Sequence, residues 1–365
     1  MKKTLIALAA LAATGAAMAQ SAVTIYGVID QAFTRTNISG GTNKNEMVSS
    51  GNVTNRLGFR GTEDLGGGLK AKFQIETSLN ADEPTDTKIG DRGAWVAIAG
   101  DAWGEIRLGR DYNPTFWNPI SFSPFATNGS GRTLAHSTRP IVFGQAGYRG
   151  GTVGSDPYVW NSNTINYILP SNLGGVYGSF QYAVDEKSNS TTPTRVQGET
   201  AAFRLGYKAG PLDVALAYGT LKDKDPTRVG NKVNSTNLGA SYDFGVAKLM
   251  GSWYQEDVKD GGFTFASKTI DKLTGYEIGV IVPFGPGNFR AAYGNVKFDA
   301  LTGSDPKADK YAIGYVYPMS KRTSLYTTYA RVSNKNGANL ITNGTTGAQP
   351  GRSVSGVDFG ITHTF

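Results

Sequence analysis

The sequence has no cysteine. That excludes a disulfide framework, a thiol nucleophile and a thiolate metal site, so the fold must be held by its own secondary structure. Histidine is nearly absent: His136 and His363 are the only two. Neither belongs to a Ser-His-Asp constellation or a metal-ligand cluster, so no enzyme activity, metal or cofactor is expected. Beyond residue 20, every apolar run is broken within a few residues by glycine or a polar group. A helical membrane span, which needs roughly 20 apolar residues, is therefore excluded. Basic runs are missing as well. The net charge of +7 is spread singly along the chain, which fits a charged cavity lining better than a binding tail, and no nucleic-acid partner is expected. Gly66-Gly67-Gly68 has no Lys-Ser/Thr after it at phosphate-loop spacing and reads as a turn.

The first residues are a leader. Lys2 and Lys3 precede the apolar stretch Leu5 to Ala13, and Ala17-Met18-Ala19 is a small-residue cleavage pattern. The expected organisation is a signal peptide at 1–19, cut after Ala19, and one exported domain at 20–365. Losing Lys2 and Lys3 leaves a mature charge of +5.

What fills the rest is alternation. Leu69, Ala71, Phe73 and Ile75 interleave with Lys70, Lys72, Gln74 and Glu76. Phe203, Leu205 and Tyr207 interleave with Arg204, Gly206 and Lys208, and Tyr311, Ile313, Tyr315 and Tyr317 share one face. The last strand does the same: Val357, Phe359, Ile361 and Phe365 oppose Gly356, Asp358, Gly360, Thr362 and Thr364. A period of two selects strand over helix. Lysines and arginines on the second face cannot sit unpaired in a dry core. A closed sheet, apolar outside and polar inside, resolves the conflict, and such a sheet is one of the two structures that span a bilayer. The 18 tyrosines and 48 glycines fit interfacial girdles and tight turns.

Sixteen strands are expected, at 22–36, 52–64, 68–80, 90–100, 104–112, 159–169, 175–185, 199–209, 211–222, 234–245, 246–258, 273–283, 288–299, 307–318, 322–333 and 354–365. Short links rich in Gly, Pro, Asp and Ser alternate with long ones at 37–51, 186–198, 223–233, 259–272 and 334–353. The reading is all-β: a sixteen-stranded antiparallel transmembrane barrel with short periplasmic turns, long extracellular loops and an open aqueous lumen. One link is anomalous. Residues 113–155 form by far the longest loop and hold Phe116, Trp117, Phe122, Phe125 and Phe143. So aromatic a loop is expected to pack inside the barrel and narrow the pore.

The residues then match a family. Val23-Thr24-Ile25-Tyr26-Gly27-Val28-Ile29-Asp30, Arg56-Leu57-Gly58-Phe59-Arg60-Gly61-Thr62-Glu63-Asp64-Leu65-Gly66-Gly67-Gly68-Leu69, Gly104-Glu105-Ile106-Arg107-Leu108-Gly109-Arg110 and the closing Gly360-Ile361-Thr362-His363-Thr364-Phe365 resemble the general porins of beta-proteobacteria. The likeness covers the mature chain and is to the anion-selective porins of the Comamonas and Bordetella type. It implies a bacterial outer-membrane location, a homotrimer among lipid and lipopolysaccharide, and a third loop forming an eyelet. It matches Arg56 and Arg92 to an eyelet arginine cluster and Glu76 to its acidic partner. Trp160 stands where a third arginine is expected, and Ser123 where the loop carries an acid.

Between Tyr112 and Ser155 there is no Asp or Glu, only Arg132, Arg139 and Arg149, with His136 as a further cation at low pH. Leu57 and Phe59 share the lipid parity, which turns Arg56 and Arg60 inward; Trp95 is read as facing out. The expected constriction is Arg56, Arg60, Arg92, Glu76, Arg132, Arg139, Trp117 and Trp160. The function implied is passive diffusion of small anions and hydrophilic solutes, with a substrate-specific anion channel or a structural or adhesive barrel as alternatives.

Overall fold

The alternating segments are strands in the computed structural model, which describes residues 23–83, 88–145, 158–184, 199–222, 232–259, 261–344 and 347–365. The leader expected at 1–19 and Arg149 lie outside these residues. In chain order the strands are β1 (Thr24–Ile38), β2 (Lys44–Ser49), β3 (Arg56–Gly66), β4 (Leu69–Ser78), β5 (Gly93–Gly100), β6 (Gly104–Tyr112), β7 (Trp160–Ile168), β8 (Val176–Ala183), β9 (Glu199–Ala209), β10 (Leu212–Lys222), β11 (Lys232–Asp243), β12 (Lys248–Lys259), β13 (Phe263–Phe265), β14 (Lys268–Phe284), β15 (Gly287–Ala300), β16 (Lys307–Pro318), β17 (Thr323–Lys335) and β18 (Val354–Thr364). Two helices, α1 (Trp117–Ser121) and α2 (Leu134–Gln145), lie in the long loop between β6 and β7.

Each wall strand pairs antiparallel with its neighbours, and β1 pairs with β18 from Val28↔Thr364 to Ile38↔Val354. Gly27 and Phe365 add two backbone hydrogen bonds of 3.1 Å. The sheet is thus closed, and among the described residues no wall edge is left without partners in hydrocarbon. The faces separate as the alternation requires. Phe359 is 59% exposed on the lipid side, while Asp358 beside it is fully buried inside. Tyr276, Tyr293 and Tyr311 form a row across β14–β16, with ring centroids 6.0 and 5.0 Å apart; such rows suit the membrane interface.

The sixteen-stranded wall is as expected, but the sheet has two further strands. The segment 37–51, read as loop, contains β2, which pairs with the upper half of β1 while β3 pairs with its lower half. The chain leaves the wall between them because Asp30, fully buried, gathers the backbone N–H groups of Gly51 (2.8 Å), Asn52 and Val53 (2.9 Å). The segment 259–272 contains β13 and the start of β14, held by Phe265 stacked on Phe298 with centroids 4.1 Å apart. Trp95 is a correction. It faces inward, its ring 4.0 Å from the Arg107 guanidinium, while Val96 and Ile98 meet lipid. The small Ala97 and Ala99 complete that inner face, so residue type alone hid the parity.

The lumen is also drier than expected on one side. Leu134, Val142 and Phe143 of α2 bury against Val233, Tyr254, Ile270, Leu273 and Phe298, inward residues of β11, β12, β14 and β15. The long loop lies on a track of inward-facing glycines. Thr115 rests on Gly219, Phe122 on Gly239, Pro124 on Gly279, Phe125 on Gly314 and Ser130 on Gly356. At Gly239 and Gly279 a Cβ would collide with the loop side chain. Gly239→Val is therefore expected to cost about 1–3 kcal/mol by overpacking. The temperature at which the β-sheet circular-dichroism signal is lost should fall, whereas Ala240→Val, on the outer face of the same strand, should leave it unchanged.

Candidate permeation site

The site begins where the chain leaves β6. Asn113 accepts from the Thr115 backbone N–H at 3.0 Å and caps the Pro114–Phe116 turn, and α1 follows. Asn118 of α1 then joins two strands: its Nδ2 donates to the Ala215 carbonyl at 3.2 Å, and its Oδ1 accepts from Arg204 Nε at 2.6 Å. Further on, Asp358 accepts from the Ser130 N–H (2.6 Å) and hydroxyl (2.7 Å). Lys310 Nζ donates to the Arg132 carbonyl at 2.6 Å.

The strongest hold is Arg139. Its side chain is fully buried and lies 2.6 Å from Glu256, also fully buried. It donates as well to the Thr115 carbonyl (3.1 Å), the Thr115 hydroxyl (3.0 Å) and Ser235 (3.1 Å), and its guanidinium sits 4.1 Å from the Tyr158 ring centroid. A buried guanidinium and carboxylate remain charged only when paired and hydrogen-bonded, and these are. The expectation that Arg139 lines the passage is corrected: burial turns it into a tie between loop and wall. Arg132 is half-buried and donates to Asn343 at 3.3 Å; burial draws its guanidinium down to about 10. His136 is corrected too. Burial, with Arg132, Arg139 and Lys310 nearby, pushes it down to about 3, so it adds no charge at mildly acid pH.

The loop thus occupies the β10–β18 side, and the open space lies along β3–β6. There Arg60, Lys72, Gln74, Trp95, Glu105 and Arg107 line a cavity of about 490 Å³. Most charges on this wall are paired. Lys72 meets Glu105 at 2.8 Å, and Arg107 meets Glu105 at 2.5 Å and Asp111 at 3.1 Å. Glu76 and Arg92 pair at 2.8 Å; Arg92 also donates to the Tyr112 hydroxyl at 2.6 Å, and Tyr26 donates to Glu76 at 3.0 Å. Arg92 is only 5% exposed. Its partner is Glu76, the acid that the resemblance implies, and the pairing cancels the net positive charge that Arg92 was expected to add to the constriction.

Arg56 and Arg60 differ. Arg60 lies 5.0 Å from the Tyr26 ring centroid, and Arg56 is within electrostatic reach of the Tyr26 and Tyr112 hydroxyls. Among the described residues neither has a carboxylate partner. Trp160 is 5.5 Å from Arg92 and stands beside Tyr112, at 5.8 Å between ring centroids; Trp117 of α1 approaches the same tyrosine at 4.9 Å. Arg56, Glu76, Arg92, Trp117 and Trp160 thus gather around Tyr112, Arg60 lies along the wall, and Arg132 and Arg139 are apart in the loop's seat. Tyr26, Tyr112, Asn118 and Glu256 escaped the sequence reading. The available signal was the run of glycines on the inward parity of successive strands, which marks where something must lie against the wall.

A closed antiparallel barrel with an apolar outer belt, a charged passage and a loop seated inside it is a channel of the bacterial outer membrane. The model of the Gram-negative porin family matches residues 4–337, and the chain belongs to that family. It is 37% identical to outer membrane porin protein 32 of Delftia acidovorans, across the full length of both chains. It is 31% identical to an outer membrane porin protein of Bordetella pertussis, over 89% of this chain and 93% of that one. Among solved structures it superposes on the anion-selective porin from Comamonas acidovorans with a TM-score of 0.79 and 34% identity, over 94% of this chain and all of that one. OmpT of Vibrio cholerae, at 16% identity and a TM-score of 0.63, shares the fold.

The loop's seat gives a test. Replacing one partner of a buried ion pair leaves the other stranded, at a cost of about 3–5 kcal/mol. Arg139→Met is expected to loosen the loop, so that protease added to the folded barrel cleaves within 113–145. Arg139→Met combined with Glu256→Met restores resistance.

Proposed function

We propose that this porin passes small hydrophilic solutes passively and prefers anions, and that Arg56 and Arg60 set the preference. One observation carries the reading. These two arginines face the lumen without a carboxylate among the described residues, while the loop opposite, from 113 to 145, contains no Asp or Glu. Fixed charge of one sign beside a narrow passage raises the local concentration of the opposite ion. At about 4 Å and an effective dielectric near 20, one contact is worth roughly 4 kcal/mol before desolvation. An ion that keeps part of its water gains less, so it is favoured without being trapped. In this reading Glu76 and Arg92 form a neutral brace, Trp117 and Trp160 shape the rim, and Arg132 and Arg139 hold the loop.

The same proposal includes removal of residues 1–19, assembly as a homotrimer among lipid and lipopolysaccharide, and the absence of catalysis. Its support is the A-x-A pattern at Ala17 to Ala19 and the family itself; OmpT of Vibrio cholerae is described in a trimer form.

In planar bilayers under a potassium chloride gradient, the reversal potential of the wild type is expected to report chloride preference. If each arginine contributes about 1 kcal/mol, Arg56→Ser with Arg60→Ser lowers the chloride-to-potassium permeability ratio by roughly thirtyfold. A cation-preferring wild type defeats the reading. Conductance linear in salt marks a general pore, and saturation at low solute a substrate-specific one.

A further inference from the structure

Trp117 lies on a loop whose other large rings, among the described residues, are hidden. Phe116 is 5% exposed, Phe122 1% and Tyr158 fully buried, yet Trp117 keeps 37% of its surface open. It does so inside the barrel, one ring away from the polar brace. Tyr112 touches Trp117 at 4.9 Å on one side, and its hydroxyl receives Arg92 on the other. Phe116 stacks on Tyr112 at 5.6 Å and Trp160 flanks it at 5.8 Å, so the Trp117 ring is backed by a fixed aromatic group. An indole held open on a fixed aromatic backing offers a flat face on which a ring can stack.

The charge beside it is specific. Arg92 is committed to Glu76 and Tyr112 and has little left to offer a solute. Arg56 is not committed: it has no carboxylate partner among the described residues, and on β3 it lies opposite Ser78, one inward-facing position along from the Gly58↔Glu76 pair, so it flanks the Glu76–Arg92 brace that reaches the Tyr112 hydroxyl beside Trp117. An open aromatic face and an uncommitted guanidinium around one tyrosine make an amphipathic subsite. Aliphatic and inorganic anions would engage only its charged half.

From this geometry we infer that the constriction contains a subsite for aromatic carboxylates, with the ring on Trp117 and the carboxylate toward Arg56. The inference rests on the anion-preferring reading and narrows it to a ligand class. Offset stacking on indole is worth about 0.5–1.5 kcal/mol beyond burial of area. A flat aromatic ring therefore gains what a saturated ring of the same size does not.

The test uses the full-length porin in planar bilayers, with chloride current read as benzoate or cyclohexanecarboxylate is added. The two carry the same charge and nearly the same bulk, and differ in aromaticity. Benzoate is expected to reduce the current at a concentration lower by on the order of fivefold. Trp117→Ala brings the two concentrations together, and Trp117→Phe keeps part of the gap. Equal action of both anions on the wild type overturns the subsite, and so does a gap that survives in Trp117→Ala. The reversal potential in potassium chloride alone, with no organic anion present, reports separately on the anion-preferring reading. Chloride preference together with equal block sinks the subsite only. Potassium preference sinks the reading beneath it.

Discussion

Everything in this molecule follows from one constraint: a peptide group facing hydrocarbon has no water to bond. The pairing of β1 with β18 meets it. Once the last strand lies along the first, the backbone is satisfied within the sheet and side chains are free to divide by face. Phe33 and Phe359, partners in that seam, turn to lipid, and Thr34 and Asp358 turn inward to hydrogen-bond each other at 2.9 Å. The seam therefore supplies a wall joint and one of the anchors for the loop, since the same Asp358 holds Ser130.

The interior divides into a dry side and a wet side. On the dry side, glycines make room, apolar residues of α2 pack on the upper wall, and each buried charge finds a partner in the loop: Glu256 with Arg139, Asp358 with Ser130, Lys310 with the Arg132 carbonyl. On the wet side, the inward residues of β3–β6 are long and charged, and much of their charge cancels. On the same face, Arg56 and Arg60 keep no carboxylate partner among the described residues. The groups that seat the loop and the arginines left without a carboxylate thus lie on opposite halves of one wall. This explains why arginines in the same chain serve as a tie, a brace or a free cation according to what faces them.

Much of the fold was legible because a period of two is a local property. Phe203, Leu205 and Tyr207 declare their face without knowledge of the rest. The exceptions are residues whose type is silent about side. Ala97 and Ala99 are apolar yet fill the inside, which misassigned Trp95. The strands β2 and β13 were hidden because each is fixed from a distance, the first by Asp30 drawing in 51–53 and the second by Phe265 on Phe298. Of the site, the residue types and the inward turn of Arg56 and Arg60 were readable. Which arginines stay free was not, because neutralisation depends on partners in other strands: Glu76 for Arg92 and Glu256 for Arg139.

The central claim is that water and solutes pass along β3–β6 while the wall beneath the loop is sealed. The native chain has no cysteine, so single cysteines can map this directly. Cysteine placed at Gln74, which lines the open cavity, should react readily with a negatively charged sulfonate thiol reagent, more slowly with a positively charged one, and lower the channel current as it does so. Cysteine placed at Ala217, buried against the loop, should react with neither. Rapid labelling at Ala217 with silence at Gln74 would contradict the account.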